Sequence, residues 1–171
     1  MNTGSTWIEV TSFSSSYTIY APDGGITETS SFTIAVPSVV GPGETAYLLA
    51  DIFTDEGRLA DYDRAEADGY FEETAEPDAP LTVANSRVRR AQFGGGVEVV
   101  GEISNPGSAR VDNAQVGAVY LNGAGEPLGI AWTFAENVEP GGRRGFEATS
   151  QVPQGIGGIA DTLLYAEDAG F

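Results

Sequence analysis

The sequence predicts an all-β protein in which antiparallel strands form β-sandwiches. Short stretches alternate large apolar residues with small or polar ones, Gly-rich and Pro-Gly turn signals separate these stretches, and the whole pattern occurs twice. Alternation with a period of two places one set of side chains on a buried face. Short strands divided by regularly spaced turns are typical of sandwiches.

The internal repeat defines a module of about a hundred residues. Asn2-Thr3-Gly4-Ser5 recurs as Asn105-Pro106-Gly107-Ser108, and Val40-Gly41-Pro42-Gly43 recurs as Val138-Glu139-Pro140-Gly141. A period of this length is that of a domain, because solenoid repeats are only roughly 20–50 residues long.

The repeat divides the chain into two predicted domains and a connection. Residues 1–71 form the first copy, residues 72–80 form a linker, and residues 81–171 form the second copy. We expect the linker to be stiff and self-repelling, because it combines two prolines with four acidic residues.

The first copy is predicted to lack its opening strands. Extended-looking sequence from Leu81 to Glu102 precedes Asn105 in the second copy, whereas only Met1 precedes Asn2. Two explanations stay open: the chain is a fragment, or those strands come from elsewhere.

In the first copy, alternation predicts a strand over residues 31–36 and another after the Pro42-Gly43 turn. The residues expected on one face are Phe32, Ile34 and Val36 in the first of these strands and Leu48, Ala50 and Ile52 in the second. The stretch from Asp55 to Phe71 contains helix-friendly residues. A strand is favoured there, because its repeat partner begins with Gly155-Ile156-Gly157-Gly158, a turn that leads into a strand.

In the second copy, residues 97–103 are predicted to form a half-buried strand that ends at the Asn105 turn. The alternating positions that follow are Val116, Ala118 and Tyr120, then Ile130, Trp132 and Phe134, then Phe146, Ala148 and Ser150. Residues 122–125 supply a hairpin turn and residues 140–142 a second turn, because both contain the glycines that positive φ angles favour.

The order of these motifs resembles the FxLYD domain family. A strand leads into Asn-x-Gly-Ser, a second strand ends in an aliphatic-Tyr pair before a Gly turn, and Pro-Gly precedes an apolar strand. The residues that carry the resemblance are Asn105, Gly107, Val119, Tyr120, Gly125, Pro140, Gly141 and Phe146, with Asn2, Gly4, Ile19, Tyr20, Gly24, Pro42, Gly43 and Leu48 as partners. The resemblance covers residues 81–171 and most of residues 1–71.

The resemblance to FxLYD domains implies tandem immunoglobulin-like antiparallel β-sandwiches. Such domains occur on exported or membrane-anchored prokaryotic proteins and generally have no assigned activity. The resemblance therefore predicts an extracellular or cell-surface location, with any signal or anchor upstream of Met1.

Charge restricts the partners. The chain carries 25 acidic residues against eight basic ones, all of them Arg, and a net charge of −17. This charge repels nucleic-acid phosphates and anionic lipid. No apolar run approaches the ~20 residues that span a bilayer, so no direct membrane insertion is expected in this segment. The acidic, Lys-free composition resembles that of a halophilic archaeon or a high-GC bacterium.

Catalysis is not expected. The chain contains no His, Cys or Lys, which excludes the commonest general base, the thiol nucleophile and the Schiff-base amine. No pair among the many carboxylates is singled out by its spacing. We therefore predict that the protein is not an enzyme and binds no organic cofactor.

Calcium is the one metal that the sequence suggests. Asp61, Asp63 and Asp68 lie in an acid-rich segment that provides hard oxygen ligands, and calcium takes six to eight of these. The alternative is that this segment forms a solvated acidic surface and binds no metal. Zinc and copper sites are not expected without His or Cys.

The two tryptophans receive different interpretations. Trp132 is predicted to lie in the core, because its repeat partner is Ile34. Trp7 has Arg110 as its repeat partner, so its position tolerates a charge. We predict Trp7 as a protein-contact residue on a surface strand beside the missing sheet edge.

Three functions are compatible with these observations. The leading one is a non-catalytic extracellular or cell-surface module that acts as a spacer, structural or protein-interaction domain. A second is a subunit of an extracellular filament or surface assembly, completed by strand donation from a neighbouring chain. A third is a calcium-stabilised adhesion module.

Overall fold

Strands form along most of the chain, and they pair in antiparallel fashion. The computed structural model describes residues 1–50, 63–77, 79–92, 96–150, 152 and 155–170. Every strand pair among these residues is antiparallel, which confirms the predicted all-β class. The other regular elements in this part of the chain are two short 3-10 turns, Ser12–Ser14 and Ile156–Gly158.

The chain divides into two compact units, Met1–Glu76 and Pro77–Phe171. These are called the first and second unit below. The strands of the first unit are β1 (Trp7–Val10), β2 (Ser16–Tyr20), β3 (Ile26–Ser31), β4 (Ile34–Val36), β5 (Val39–Val40), β6 (Tyr47–Leu49), β7 (Arg64–Asp68) and β8 (Phe71–Thr74). They form sheets with the strand orders β5-β1-β8, β3-β2-β7 and β4-β6.

The first unit buries apolar side chains from several of its strands. Tyr17, Ile19 and Phe32 form a buried cluster, and Leu48 and Ala50 pack against it while remaining half-buried. The rings of Tyr17 and Phe32 lie 5.4 Å apart between centroids. The predicted inward positions Phe32, Ile34 and Val36 are all buried, whereas Ile52 lies outside the described residues.

The second unit has two sheets that share one core. Its strands are β9 (Thr82–Arg90), β10 (Val97–Ser104), β11 (Val111–Leu121), β12 (Pro127–Val138), β13 (Arg143–Ser150) and β14 (Asp161–Asp168). The sheet orders are β13-β10-β9 and β12-β11-β14. A single buried cluster takes Val97, Val99 and Ile103 from one sheet and Val116 and Tyr120 from the other. This is the arrangement of a β-sandwich.

The two units share part of their strand topology. In the second unit, the long strand β11 has β12 on one side and β14 on the other. In the first unit, β1 and β2 together take the place of β11. Their neighbours on one side are β5 and β3, and their neighbours on the other side are β8 and β7. β6 follows the first Pro-Gly turn as β13 follows the second. Among the described residues of the first unit, no strand corresponds to β9 or β10.

The hairpin turns of the two copies show which residues correspond. The N–H of Ala21 donates to the carbonyl of Gly25 at 2.8 Å, and the N–H of Asn122 donates to that of Glu126 at 2.9 Å. The positive φ angle of 85° at Gly24 is matched by 79° at Gly125. Glycine adopts this region without strain.

This equivalence corrects the predicted pairing of Tyr20 with Tyr120. Counting back from the turns, Tyr120 corresponds to Ile19, and both lie in the core of their unit. Tyr20 points to the other face, where the guanidinium carbon of Arg64 lies 3.8 Å from its ring centroid. A shift of one residue along a strand exchanges the two faces of the sheet.

Two further predictions need correction. Residues 72–74 belong to β8 and not to the predicted linker, because they pair with β1 despite their charge. Trp132 is 36% exposed and does not lie in the core. It is opposite Gly117, next to the core pair Ala118 and Ala131, and therefore faces outward.

Candidate functional site

The first unit has an open groove that is lined mainly by apolar side chains and by the turn at Asn2. Its volume is about 600 Å³. The apolar side chains that line it are Met1, Ile8, Val10, Val40, Ala46, Leu48 and Phe71. Grooves of this size and lining are suited to apolar ligands or to segments of another protein.

Strand alternation places these side chains on one face. Ile8 and Val10 are two residues apart on β1, so both point into the groove while Trp7 points to the opposite face. Val10 is opposite Phe71 of β8, and Ile8 is opposite Glu73. Phe71 is 61% exposed, which is unusual for a large apolar side chain on a sheet face.

In the second unit, the residues that correspond to this part of the groove lining are buried in the core. Ile8 pairs with Val40 as Val111 pairs with Val138. Val111 and Val138 belong to the closed core of their unit and lie with Val97, Val99 and Ile103 of β10 in one buried cluster. The groove is therefore the place in the first unit that corresponds to the part of the second unit covered by β10 and β9.

A buried asparagine closes the turn beside the groove. The amide of Asn2 donates to the carbonyls of Thr6 at 2.8 Å and Val40 at 3.0 Å, and its oxygen accepts from the N–H of Gly4 at 2.9 Å. With this amide satisfied, Asn2 is 6% exposed. The turn is thus held by the fold itself and is a structural feature of the groove rim.

The same turn occurs in the second unit. The amide of Asn105 donates to Ala109 at 2.7 Å and Val138 at 3.0 Å, and its oxygen accepts from Gly107 at 2.9 Å. The Asn-x-Gly-Ser motif, which is prominent in the sequence, is therefore a clamp that joins a turn to the end of a neighbouring strand.

The structure places Trp7 away from any sheet edge. β1 has β5 on one side and β8 on the other, so the edge predicted beside Trp7 is occupied. The expectation of an open edge is wrong because residues 72–74, which the sequence predicts as linker, belong to β8. The half-buried ring of Trp7 lies against Gly41, where a Cβ atom would be 3.0 Å from it. A role of Trp7 in protein contacts stays a prediction.

The predicted calcium ligands are not brought together. Asp63 directly precedes β7 and Asp68 ends it, so five residues of extended chain hold them roughly 16 Å apart. One ion has its ligands at about 2.3–2.6 Å, so these two carboxylates cannot share it. Asp61 lies outside the described residues. Within the described ranges, no cluster of three or more acidic residues has a metal-binding arrangement.

Glu66, between these two residues, is engaged with its neighbours. Its carboxylate accepts hydrogen bonds from Arg64 at 3.1 Å and from the hydroxyl of Tyr20 at 3.1 Å. Both hydrogen bonds lower the pKa of Glu66, and the bond from Arg64 has the larger effect. The acid-rich segment is thus partly paired on its own surface.

Glu98 is a buried acid that alternation along β10 does not predict. Its neighbours Val97 and Val99 face the core, so Glu98 faces outward, yet it is only 3% exposed. Arg89 lies opposite it on β9 and forms a hydrogen-bonded ion pair with it. This bond lowers the pKa of Glu98. A basic residue opposite on the neighbouring strand is the signal that predicts such burial.

The ion pair of Glu98 and Arg89 affects two further ionisable side chains, Glu147 and Tyr120. Arg89 also approaches Glu147 at 3.6 Å. The hydrogen bond and negative charge of Glu98 raise the pKa of Glu147. Burial, with the charge of Glu98 adding to it, raises the pKa of Tyr120 to about 12. None of these groups lines the groove.

No helix in the described part of the chain is both long and apolar enough to cross a membrane. Comparisons with protein-family models, with curated proteins and with solved structures found no match. The resemblance to FxLYD domains accordingly rests on the quoted motifs alone and stays a prediction.

Proposed function

We propose that the protein is a non-catalytic, extracellular or cell-surface protein-interaction module. In this proposal the second unit is an immunoglobulin-like scaffold and the first unit carries the binding site. The observation that supports it is the contrast between a closed sandwich core in one unit and a 600 Å³ apolar groove in the other. Exposed apolar surface of this kind is typical of protein contacts.

The extracellular location is supported by the resemblance to FxLYD domains, and it is testable in the source cells. An epitope-tagged chain is expected to be cleaved when protease is added to intact cells. A cytoplasmic protein with the same tag is the control and should stay intact. Protection of the tagged chain under these conditions would exclude the proposed location.

The interaction role is tested by photo-crosslinking. The photoreactive residue p-benzoylphenylalanine replaces Phe71 in the groove or, as a matched control, Phe13. Phe13 is 78% exposed and does not line the groove. In irradiated cells we expect a protein adduct from position 71 and not from position 13. Equal adducts from both positions, or none, would contradict an interaction site in the groove.

A further inference from the structure

We propose that the groove of the first unit binds an arginine-bearing β-hairpin of another polypeptide, which pairs with β6 and covers Ile8, Leu48 and Phe71. The inference rests on the proposed function, because it names the partner chemistry for the same groove. Binding of this kind is strand addition, in which backbone hydrogen bonds give affinity and alternate side chains give specificity.

The internal repeat shows what fits beside β6. In the second unit, β13 pairs with β10 at eight successive positions, from Arg143 opposite Ser104 to Ser150 opposite Val97. β6 occupies the corresponding place after its Pro-Gly turn, and its one partner strand among the described residues is β4, over three positions. A strand has two edges, and no strand among the described residues pairs with the second edge of β6.

The apolar lining sets the side chains of the partner. In the second unit, Val97, Val99 and Ile103 occupy alternate positions of β10, and each is at most 1% exposed. They cover the valine pair that corresponds to Ile8 and Val40. A partner strand for the groove therefore needs apolar residues at every second position, so that one face covers the groove.

Charge sets the outer face of the partner. Residues 1–76 contain 14 acidic residues and two arginines, and Glu73 lines the groove itself. The covering hairpin of the second unit has Arg87, Arg89 and Arg90 on β9. Complementary charge favours encounter and suppresses wrong partners, so an arginine-bearing hairpin fits this surface best.

The same facts favour a different polypeptide over a second copy of this chain. The hairpin β9–β10 of any copy is already packed in its own second unit, where Val97, Val99 and Ile103 are buried. A copy that donated this hairpin would have to open a filled core. A separate polypeptide has no such cost.

The test uses the full chain and a synthetic peptide with the sequence of residues 81–105 as the probe. We expect one peptide to bind per chain, with slowed amide exchange at Tyr47–Leu49. Phe71→Ser should weaken binding by about tenfold or more, because it removes a large apolar contact at the groove. Phe13→Ser should bind like the unchanged protein. Because Phe71 meets Val10 across the β1–β8 pair, amide protection of these two strands is first compared without peptide, and weaker binding counts only where the pair is kept.

Two changed peptides test the chemistry of the partner. A peptide with V99D and I103D should not bind, because it places charge on the apolar face. A peptide with R87Q, R89Q and R90Q should bind more weakly at low salt and lose this difference in molar salt. Equal binding of the arginine-free peptide at low salt would overturn the charge requirement.

Other outcomes would overturn the proposal itself. These are absence of binding at millimolar peptide, equal affinity of Phe71→Ser, or slowed exchange in β13 with loss of protection in β10, which would mean exchange into the second unit. Concentration-dependent dimers that protect Tyr47–Leu49 without peptide would make a second copy the occupant. A crosslink from position 71 without peptide binding would leave the proposed interaction function standing and reject only the hairpin.

Discussion

At the scale of single residues, the two buried asparagines are the positions at which the units agree most closely. Asn2 and Asn105 make the same three side-chain hydrogen bonds, and each backbone carbonyl also accepts from the glycine of the Pro-Gly turn, Gly43 or Gly141, at 2.8 Å. Buried amides are stabilising only when their partners are in place. The clamp is therefore a sensitive point in both units.

Replacing Asn105 with Ala is expected to destabilise the second unit by about 1–3 kcal/mol, because it leaves two carbonyls and one N–H without their partner. Asn2→Ala is the matched variant and should act on the first unit. Urea unfolding followed by amide exchange assigns each loss to a unit. If Asn105→Ala unfolded at the same urea concentration as the unchanged chain, the clamp would have no structural role.

Single residues also show how far the sequence alone reaches. The Asn-x-Gly motif was predicted as a turn because its residue types require one, and both copies form it. The sequence predicts Trp132 in the core and gives no sign that Glu98 is buried, because a period of two does not say which of the two faces of a strand is covered. Trp132 faces outward opposite Gly117, whereas the partner on β9 buries Glu98.

At the scale of elements, β1 and β8 form a pair that the charge pattern opposes. Glu9 lies directly opposite Glu72, and both are exposed. Like charges in such a position are destabilising. The pair nevertheless forms, since Val10 and Phe71 meet on the other face. This balance explains why an acidic stretch that resembles a linker is a strand.

Replacing Glu9 with Arg should stabilise the first unit by about 0.2–1 kcal/mol, because an opposite pair replaces a repelling one. Glu9→Gln is the control that removes repulsion without adding attraction, and it should fall between the two. Urea midpoints at low salt measure the order, and molar salt should reduce the differences. An unchanged order at high and low salt would point to a cause other than charge.

The strands were the most predictable elements, and the way in which they pair into sheets was the least predictable. Phe32, Ile34 and Val36 alternate as predicted and are buried. The sequence did not reveal that β4 leaves the sheet of β2 to pair with β6, while the matching part of β12 stays with β11 throughout. Such a change of partner depends on which strands lie beside β4 in the folded unit. The alternation of residues within one strand contains no information about its neighbours.

At the scale of the whole molecule, the charge is divided unevenly. Residues 1–76 contain 14 acidic residues and two arginines, and residues 77–171 contain 11 and six. Self-repulsion destabilises compact states, and salt screens it. The first unit carries the larger excess of acidic residues, so its stability is expected to depend more on salt.

Amide protection in the full chain is therefore expected to rise with sodium chloride more in residues 1–76 than in residues 77–171. Calcium at matched ionic strength should give the same protection, since Asp63 and Asp68 are too far apart to share an ion. Hydrogen exchange at low and molar salt measures both effects. Equal gains in the two units would contradict the charge argument, and a gain specific to calcium would restore the metal site.

The duplicated clamp also bears on how such modules change over evolutionary time. The amide of each asparagine donates to two backbone carbonyls. One belongs to a valine in both copies, and the other belongs to Thr6 in the first copy and to Ala109 in the second. Substitutions at these positions leave the bonds intact, because the acceptor is a backbone carbonyl whatever the side chain. Descendants of a single ancestral unit are then free to diverge almost everywhere else. The similarity between two such units is then expected to persist longest at a few spaced turn residues.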